Sequence, residues 1–107
     1  MRGKQTLIAK SQVDLVLVTA HYGPGTGKLL FARGYARRGQ VWTDIMLFDR
    51  AKLVDSLRQG RIVMTGRNST LAGDFEILSP VTLGSDDRLL AQGSHEPNGD
   101  DLELPIL

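Results

Sequence analysis

One stretch of this chain of 107 residues carries a helical period: DRAKLVDSLRQG (49–60). Leu53, Val54 and Leu57 fall on one face of it, Asp49 stands where an N-cap belongs, and Gly60 ends the pattern. The segments around it are strand-length runs rich in apolar and β-branched residues: QTLIA (5–9), VDLVLVTAH (13–21), KLLFARGYARR (28–38), VWTDIMLF (41–48), RIVMTGR (61–67), and DFEIL with SPVTL (74–83). A short helix cannot bury its stripe alone, so these strands must supply the core it packs on.

Read as three strands, a helix and two closing strands, the order suits an all-β fold with one short helix. It fits the OB-fold, a five-stranded barrel with its helix between the third and fourth strands. After Gly84 the periodicity fades; SHEPNGDDLELPIL (94–107) has acids, Gly and Pro without pattern. The expected organisation is an OB-fold domain over residues 1–84 and a disordered acidic C-terminal tail over 85–107.

The segment YGPGTGKLL (22–30) resembles a phosphate-binding loop, because Gly27-Lys28 supplies the Gly-Lys of G-x-x-x-x-G-K-[ST]. Two required positions fail: Tyr22 stands at the first glycine and Leu29 at the magnesium-binding hydroxyl. The stretch that follows, LLFARGYARR, lacks a helical stripe, whereas a phosphate loop needs a helix N-terminus there. YGPGTG is the turn of a hairpin on this reading, and its glycines serve backbone geometry.

Bulk properties exclude several classes. There is no cysteine, hence no disulfide framework and no thiolate chemistry. No stretch approaches the roughly 20 apolar residues of a membrane span, and MRGKQTLIAK lacks the apolar region and cleavage site of a signal peptide, so a cytoplasmic protein is expected. The net charge of +1 hides a polarised chain, +8 over residues 1–73 and −7 over 74–107. A basic body with an acidic end suits a polyanion-binding domain with an interaction tail, or a solvated surface whose charges happen to segregate.

Catalysis has little to work with. His21 and His95 are far apart, Asp86-Asp87 reads as a turn, and Ser79 has no nucleophile context, so neither an enzyme nor a metal or other cofactor is expected. Binding has more. Trp42 and Phe48, six apart on one predicted strand, leave the same face, and Phe31, Arg33, Tyr35 and Arg37 share a face of the preceding strand. Lys28, Arg33, Arg37, Arg38, Arg50, Arg61 and Arg67 surround these rings. Aromatic platforms beside cations are what single-stranded nucleic acid uses: bases stack on rings and cations track phosphates. Core packing competes for the same rings: Phe48 ends an apolar run, Phe31 suits a core, and Tyr35 fits hairpin packing as well as base stacking.

These residues resemble those of bacterial-type single-stranded-DNA-binding proteins. VWTDIMLFDRAKLVDSLRQGRIVMTGR (41–67) is similar to that family's block of a Trp-led strand ending in Leu-Phe, a short helix, a Gly turn and an apolar strand. YGPGTGKLLFARGYARR (22–38) resembles its Tyr-x-Pro-Ser-Gly turn with the strand after it. The resemblance covers residues 4–83 and the acidic tip. It implies base stacking by Trp42 and Phe48; Tyr35, from the strand pattern, is a further expected platform. It also implies a homo-oligomer (tetramer or dimer) and work in DNA replication, recombination or repair. The tip Asp100, Asp101, Leu102, Glu103, Leu104, Pro105, Ile106, Leu107 resembles the family's partner-recruiting end. As an unfolded acidic peptide it is also expected to compete for the basic groove, so deleting residues 95–107 is expected to tighten DNA binding at low salt. The departures are AKSQVDL in place of a Gly-rich segment, a loop shortened to RRGQ, NSTLAG without a tryptophan, and a Pro-Ile-Leu ending where Pro-Phe is usual. The competing expectation is an OB-fold module that binds RNA or serves as a protein adaptor.

Overall fold

The computed structural model describes residues 12–25, 27–68, 75–84, 87–91 and 99–105. The strand expected at 5–9 lies outside the described residues, as does most of the NSTLAG turn. The elements are β1 (Leu15–Tyr22), β2 (Leu29–Arg38), β3 (Val41–Trp42), β4 (Met46–Asp49), α1 (Arg50–Arg58), β5 (Val63–Asn68), β6 (Phe75–Leu83) and β7 (Leu89–Ala91). Among the described residues the protein is mostly β-sheet with one short helix.

β1 is the centre of the sheet. Its LVLV run is buried on both faces, as a continuous apolar strand must be. It pairs antiparallel with β2 and parallel with β5. The hairpin closes where YGPGTG predicts it, with the Gly23 N–H donating to the Lys28 carbonyl at 2.8 Å. The glycine inside LLFARGYARR serves a close approach: a Cβ on Gly34 would lie 1.9 Å from the Val16 carbonyl oxygen, so only glycine lets β2 lie this close to β1.

β4 pairs antiparallel with β2 and therefore runs in the direction of β1, as β5 does. Strands running the same way need a crossover, and α1 provides it. Asp49 caps the helix as expected, its Oδ1 accepting the Lys52 N–H at 2.8 Å. Leu53 and Val54 bury into the larger core with Leu15, Leu17, Leu29, Phe48, Val63 and Leu89. A smaller cluster gathers Val13, Val16, Val18, Met64 and Phe75, with Tyr35, Trp42, Ile62 and Ile77 packed against it.

Three expectations are corrected. First, the sheet is open, not a closed five-stranded barrel: pairing runs from β3 and β4 through β2, β1, β5 and β6 to β7, and no ladder among the described residues joins the ends. Second, VWTDIMLF is two strands. Trp42 pairs with Arg37 and Met46 with Gly34, so four steps on one chain face three on β2. That one-residue bulge flips the alternation, and Trp42 and Phe48 leave opposite faces. DFEIL and SPVTL, conversely, form the single strand β6.

Third, the acidic end is packed where it is described. β7 falls inside the stretch expected to be disordered, and residues 99–105 form a strap along the sheet. Asp101 bridges Leu90 in parallel, the Asp100 N–H donates to the Gly27 carbonyl at 2.9 Å, and the Ala20 N–H donates to the Pro105 carbonyl at 3.0 Å. Leu102 and Leu104 are buried in the larger core. Gly99 permits the approach: a Cβ there would meet the Gly27 carbonyl oxygen at 2.6 Å.

Candidate nucleic-acid interface

β2 pairs with β4 from Phe31 to Gly34 and with β3 at Arg37 and Arg38. The extra residue between the two ladders lies on the β3–β4 side, so the side chains of β2 alternate from Phe31 on. Phe31, Arg33 and Tyr35 share the outer face, away from α1, and Arg37 follows at the edge of the sheet, where its side chain reaches the Val13 carbonyl and Asp14. Two ring pairs stand on this face. His21 stacks on Phe31 with centroids 4.9 Å apart and 16° between planes. Tyr35 stacks on Phe75 at 4.9 Å and 11°, and Trp42 meets the same Phe75 edge-on at 5.0 Å. Arg33 is exposed between them, cross-strand from Leu47, which is 57 % exposed. The Tyr35 hydroxyl donates to Asn68 Oδ1 at 2.8 Å and so fixes its ring.

Sequence reasoning missed Phe75 and His21. Phe75 is buried, yet it is the ring that joins Tyr35 to Trp42. Its signal was the Phe75–Ile77 alternation on a strand whose pairing with β5 could not be read locally. Phe48, expected to stack bases, is only 4 % exposed and packs in the larger core, so that role is withdrawn.

The seven expected phosphate contacts divide. Lys28, Arg33, Arg38 and Arg61 are exposed, Arg61 donating to Gln59 Oε1 at 3.3 Å. Arg37 is half-buried and held, through Nε to the Val13 carbonyl at 2.8 Å, Nη1 to the Gly39 carbonyl at 2.6 Å and Nη2 to Asp14 at 3.4 Å. Arg67 pairs with Glu76 at 2.9 Å. Arg50 is committed elsewhere, to Asp100 and to the Asp87 carbonyl, and is withdrawn as a phosphate ligand.

The expected recruitment tip is not a free peptide. Asp100 is 5 % exposed and its carboxylate accepts from Arg50 Nε at 2.8 Å and Nη2 at 3.1 Å, from the Leu29 N–H at 2.6 Å and from the Leu89 N–H at 2.8 Å. Burial pushes its acidity down, but these hydrogen bonds and the Arg50 charge more than offset it and hold the carboxyl below its usual range. The same bond raises the pKa of Arg50. Tyr22, whose hydroxyl accepts the Leu102 N–H at 3.0 Å, is pushed up by burial and by the neighbouring Asp101 and Asp100 carboxylates. Asp101 is half-buried, Glu103 and Pro105 are exposed, and Ile106 and Leu107 lie outside the described residues.

Among the described residues, no group of His, Cys, Asp or Glu is placed to hold a metal ion, and no helix is long and apolar enough to cross a membrane. No protein-family model, curated protein or solved structure matches the chain.

Proposed function

We propose that this protein binds single-stranded DNA, with little sequence preference, on the outer face of β2 and its neighbours. The observation that carries this is the succession Phe31, Arg33, Tyr35 on one strand face: an exposed cation between two stacked ring pairs. Bases stack on Tyr35, Trp42 and Phe31, while Arg33, Arg37 and Lys28 follow the phosphates and Arg38 and Arg61 extend the basic path beyond Arg37, beside α1. Arg67 joins them by exchanging Glu76 for a phosphate, a small cost for an exposed pair.

The resemblance of residues 22–38 and 41–67 to bacterial-type single-stranded-DNA-binding proteins supports the same reading. What bears on the OB-fold in that likeness is the order of elements, antiparallel strands, a helix, then returning strands. On this reading the protein is a non-catalytic homo-oligomer acting in replication, recombination or repair. Val41, Ile45 and Leu47, exposed along the β3–β4 edge, favour a second reading in which that edge docks another protein.

The test is the affinity for oligo-dT as a function of salt, followed by anisotropy of a labelled strand. Binding weakens with rising salt, log K falling by about 0.7 per decade of salt for each phosphate contact. Absent binding, or affinity indifferent to salt, contradicts the proposal. Ribo-oligonucleotides binding as tightly as deoxy ones would move it to RNA.

A further inference from the structure

The cations among the described residues differ in their partners. Arg50 and Arg58 pair with Asp100 and Asp87, and Arg67 pairs with Glu76. Arg38, Lys52 and Arg61 form no ion pair among the described residues, and all three line one cleft with Arg37. The cleft lies between α1 and the β2–β4 end of the sheet and measures about 260 Å³. Its floor is apolar, from Leu15, Ala36, Met46 and Phe48. Its one acid, Asp14, is already spent on the Ile62 N–H at 2.9 Å and on Arg37.

We infer that this cleft is a phosphomonoester site, and that on the single-strand reading above it receives the terminal phosphate of a bound strand. The charge favours a monoester over a diester. Four cations against one satisfied carboxylate suit a group carrying about −1.5 to −2 with three acceptor oxygens at neutral pH. The volume falls just short of ordinary small-ligand pockets, about 300–1,000 Å³, and so suits a chain end rather than a stacked run of bases.

Position supplies the link to the outer face. Arg37 lines the cleft and is also the cross-strand partner of Trp42, two residues beyond Tyr35. A strand leaving the Tyr35–Trp42 platform therefore reaches the cleft past Arg37. Arg37 is fixed by its backbone acceptors and contributes charge; Arg38, Lys52 and Arg61 are the side chains able to close on the phosphate.

Anisotropy measurements compare dT strands ending in 5′-phosphate, 3′-phosphate or hydroxyl groups at both ends. One phosphorylated end binds about tenfold tighter than the hydroxyl strand, as charge-assisted contacts allow. Lys52→Glu abolishes that difference and leaves the hydroxyl strand's affinity unchanged, Lys52 being exposed and its side chain outside the core. Equal affinity for all ends, or an advantage untouched by Lys52→Glu, overturns the inference while the single-strand reading stands. If no strand binds, calorimetry with thymidine monophosphate separates the cases. Binding lost in Lys52→Glu keeps the phosphomonoester site and removes the strand; no binding removes both. An acidic peptide that occupies the cleft where phosphate ends have no effect overturns it in favour of a protein partner.

Discussion

At the scale of the residue, Tyr35 and Phe48 separate binding from folding. Tyr35 is a half-exposed ring on the outer face, so Tyr35→Ala lowers oligo-dT affinity by the worth of a stacked base, about 1–3 kcal/mol. Phe48→Ala opens a void in the larger core and costs about 3–5 kcal/mol of stability in a urea titration. If Tyr35→Ala binds like the parent, the outer face is not the site. The sequence put Tyr35 on one face with Phe31 and Arg33, and that much is legible because β2 alternates from Phe31 on, past the irregularity at Leu30. It misplaced Phe48 because a bulge between Trp42 and Met46 exists only in relation to β2, and no local pattern marks it. Asp100 was misread for a similar reason. Its neighbours in sequence are acidic, but its partners Leu29, Arg50 and Leu89 are 71, 50 and 11 residues away.

Asp100→Asn keeps the shape but loses the charge opposite Arg50, and breaking a buried pair from one side costs about 3–5 kcal/mol. Its pH dependence has a fixed sign. The folded carboxyl titrates below its unfolded value of about 3.9, so its contribution is complete above that pH and is lost as pH falls through the lower folded pKa. Acid unfolding of Asp100→Asn therefore shows less of this low-pH loss than the parent. Parallel acid profiles for the two proteins would contradict the account of the buried pair.

At the scale of the element, the strap 99–105 and the helix illustrate the two kinds of legibility. α1, its Asp49 cap and its stop at Gly60 follow from residues within one or two turns, and all were readable. The strap has no period because it is held by single bonds to β1, β7 and the β1–β2 hairpin, and by Leu102 and Leu104 in the core. Each of those leucines contributes about 1.5–3 kcal/mol when buried. Removing residues 99–107 is thus expected to destabilise the fold and lower its melting temperature. A shortened chain with unchanged stability and tighter DNA binding would restore the tail as a competitor for the basic face. The hairpin of YGPGTG and the glycines behind the false phosphate loop belong with α1, since a turn is fixed by its own residues.

At the scale of the whole molecule, strand order was the part that sequence could not supply. A parallel β1–β5 pair across α1 joins residues such as Leu15 and Val63, and nothing in either strand names its partner. The charge polarity was legible, but its meaning changed. Part of the acidic end neutralises the basic body from within, through Asp100 with Arg50, Asp87 with Arg58 and Glu76 with Arg67. What remains unpaired among the described residues is concentrated at Arg33 on the outer face and at Arg38, Lys52 and Arg61 around the cleft. Substituting Arg33 with Ala is expected to flatten the salt dependence of strand binding by about one phosphate contact, while thermal stability stays unchanged. An unaltered slope would remove Arg33 from the phosphate path.

Trp42 reports on the central claim directly, because it is the single tryptophan of the chain and sits against Phe75 beside Tyr35. Titrating its fluorescence with oligo-dT at low and moderate salt asks whether bases reach the outer face. Stacking on that face predicts strong quenching that salt reverses. An unchanged signal, with binding also absent by anisotropy, would contradict the claim and leave the exposed β3–β4 edge as the surface to pursue.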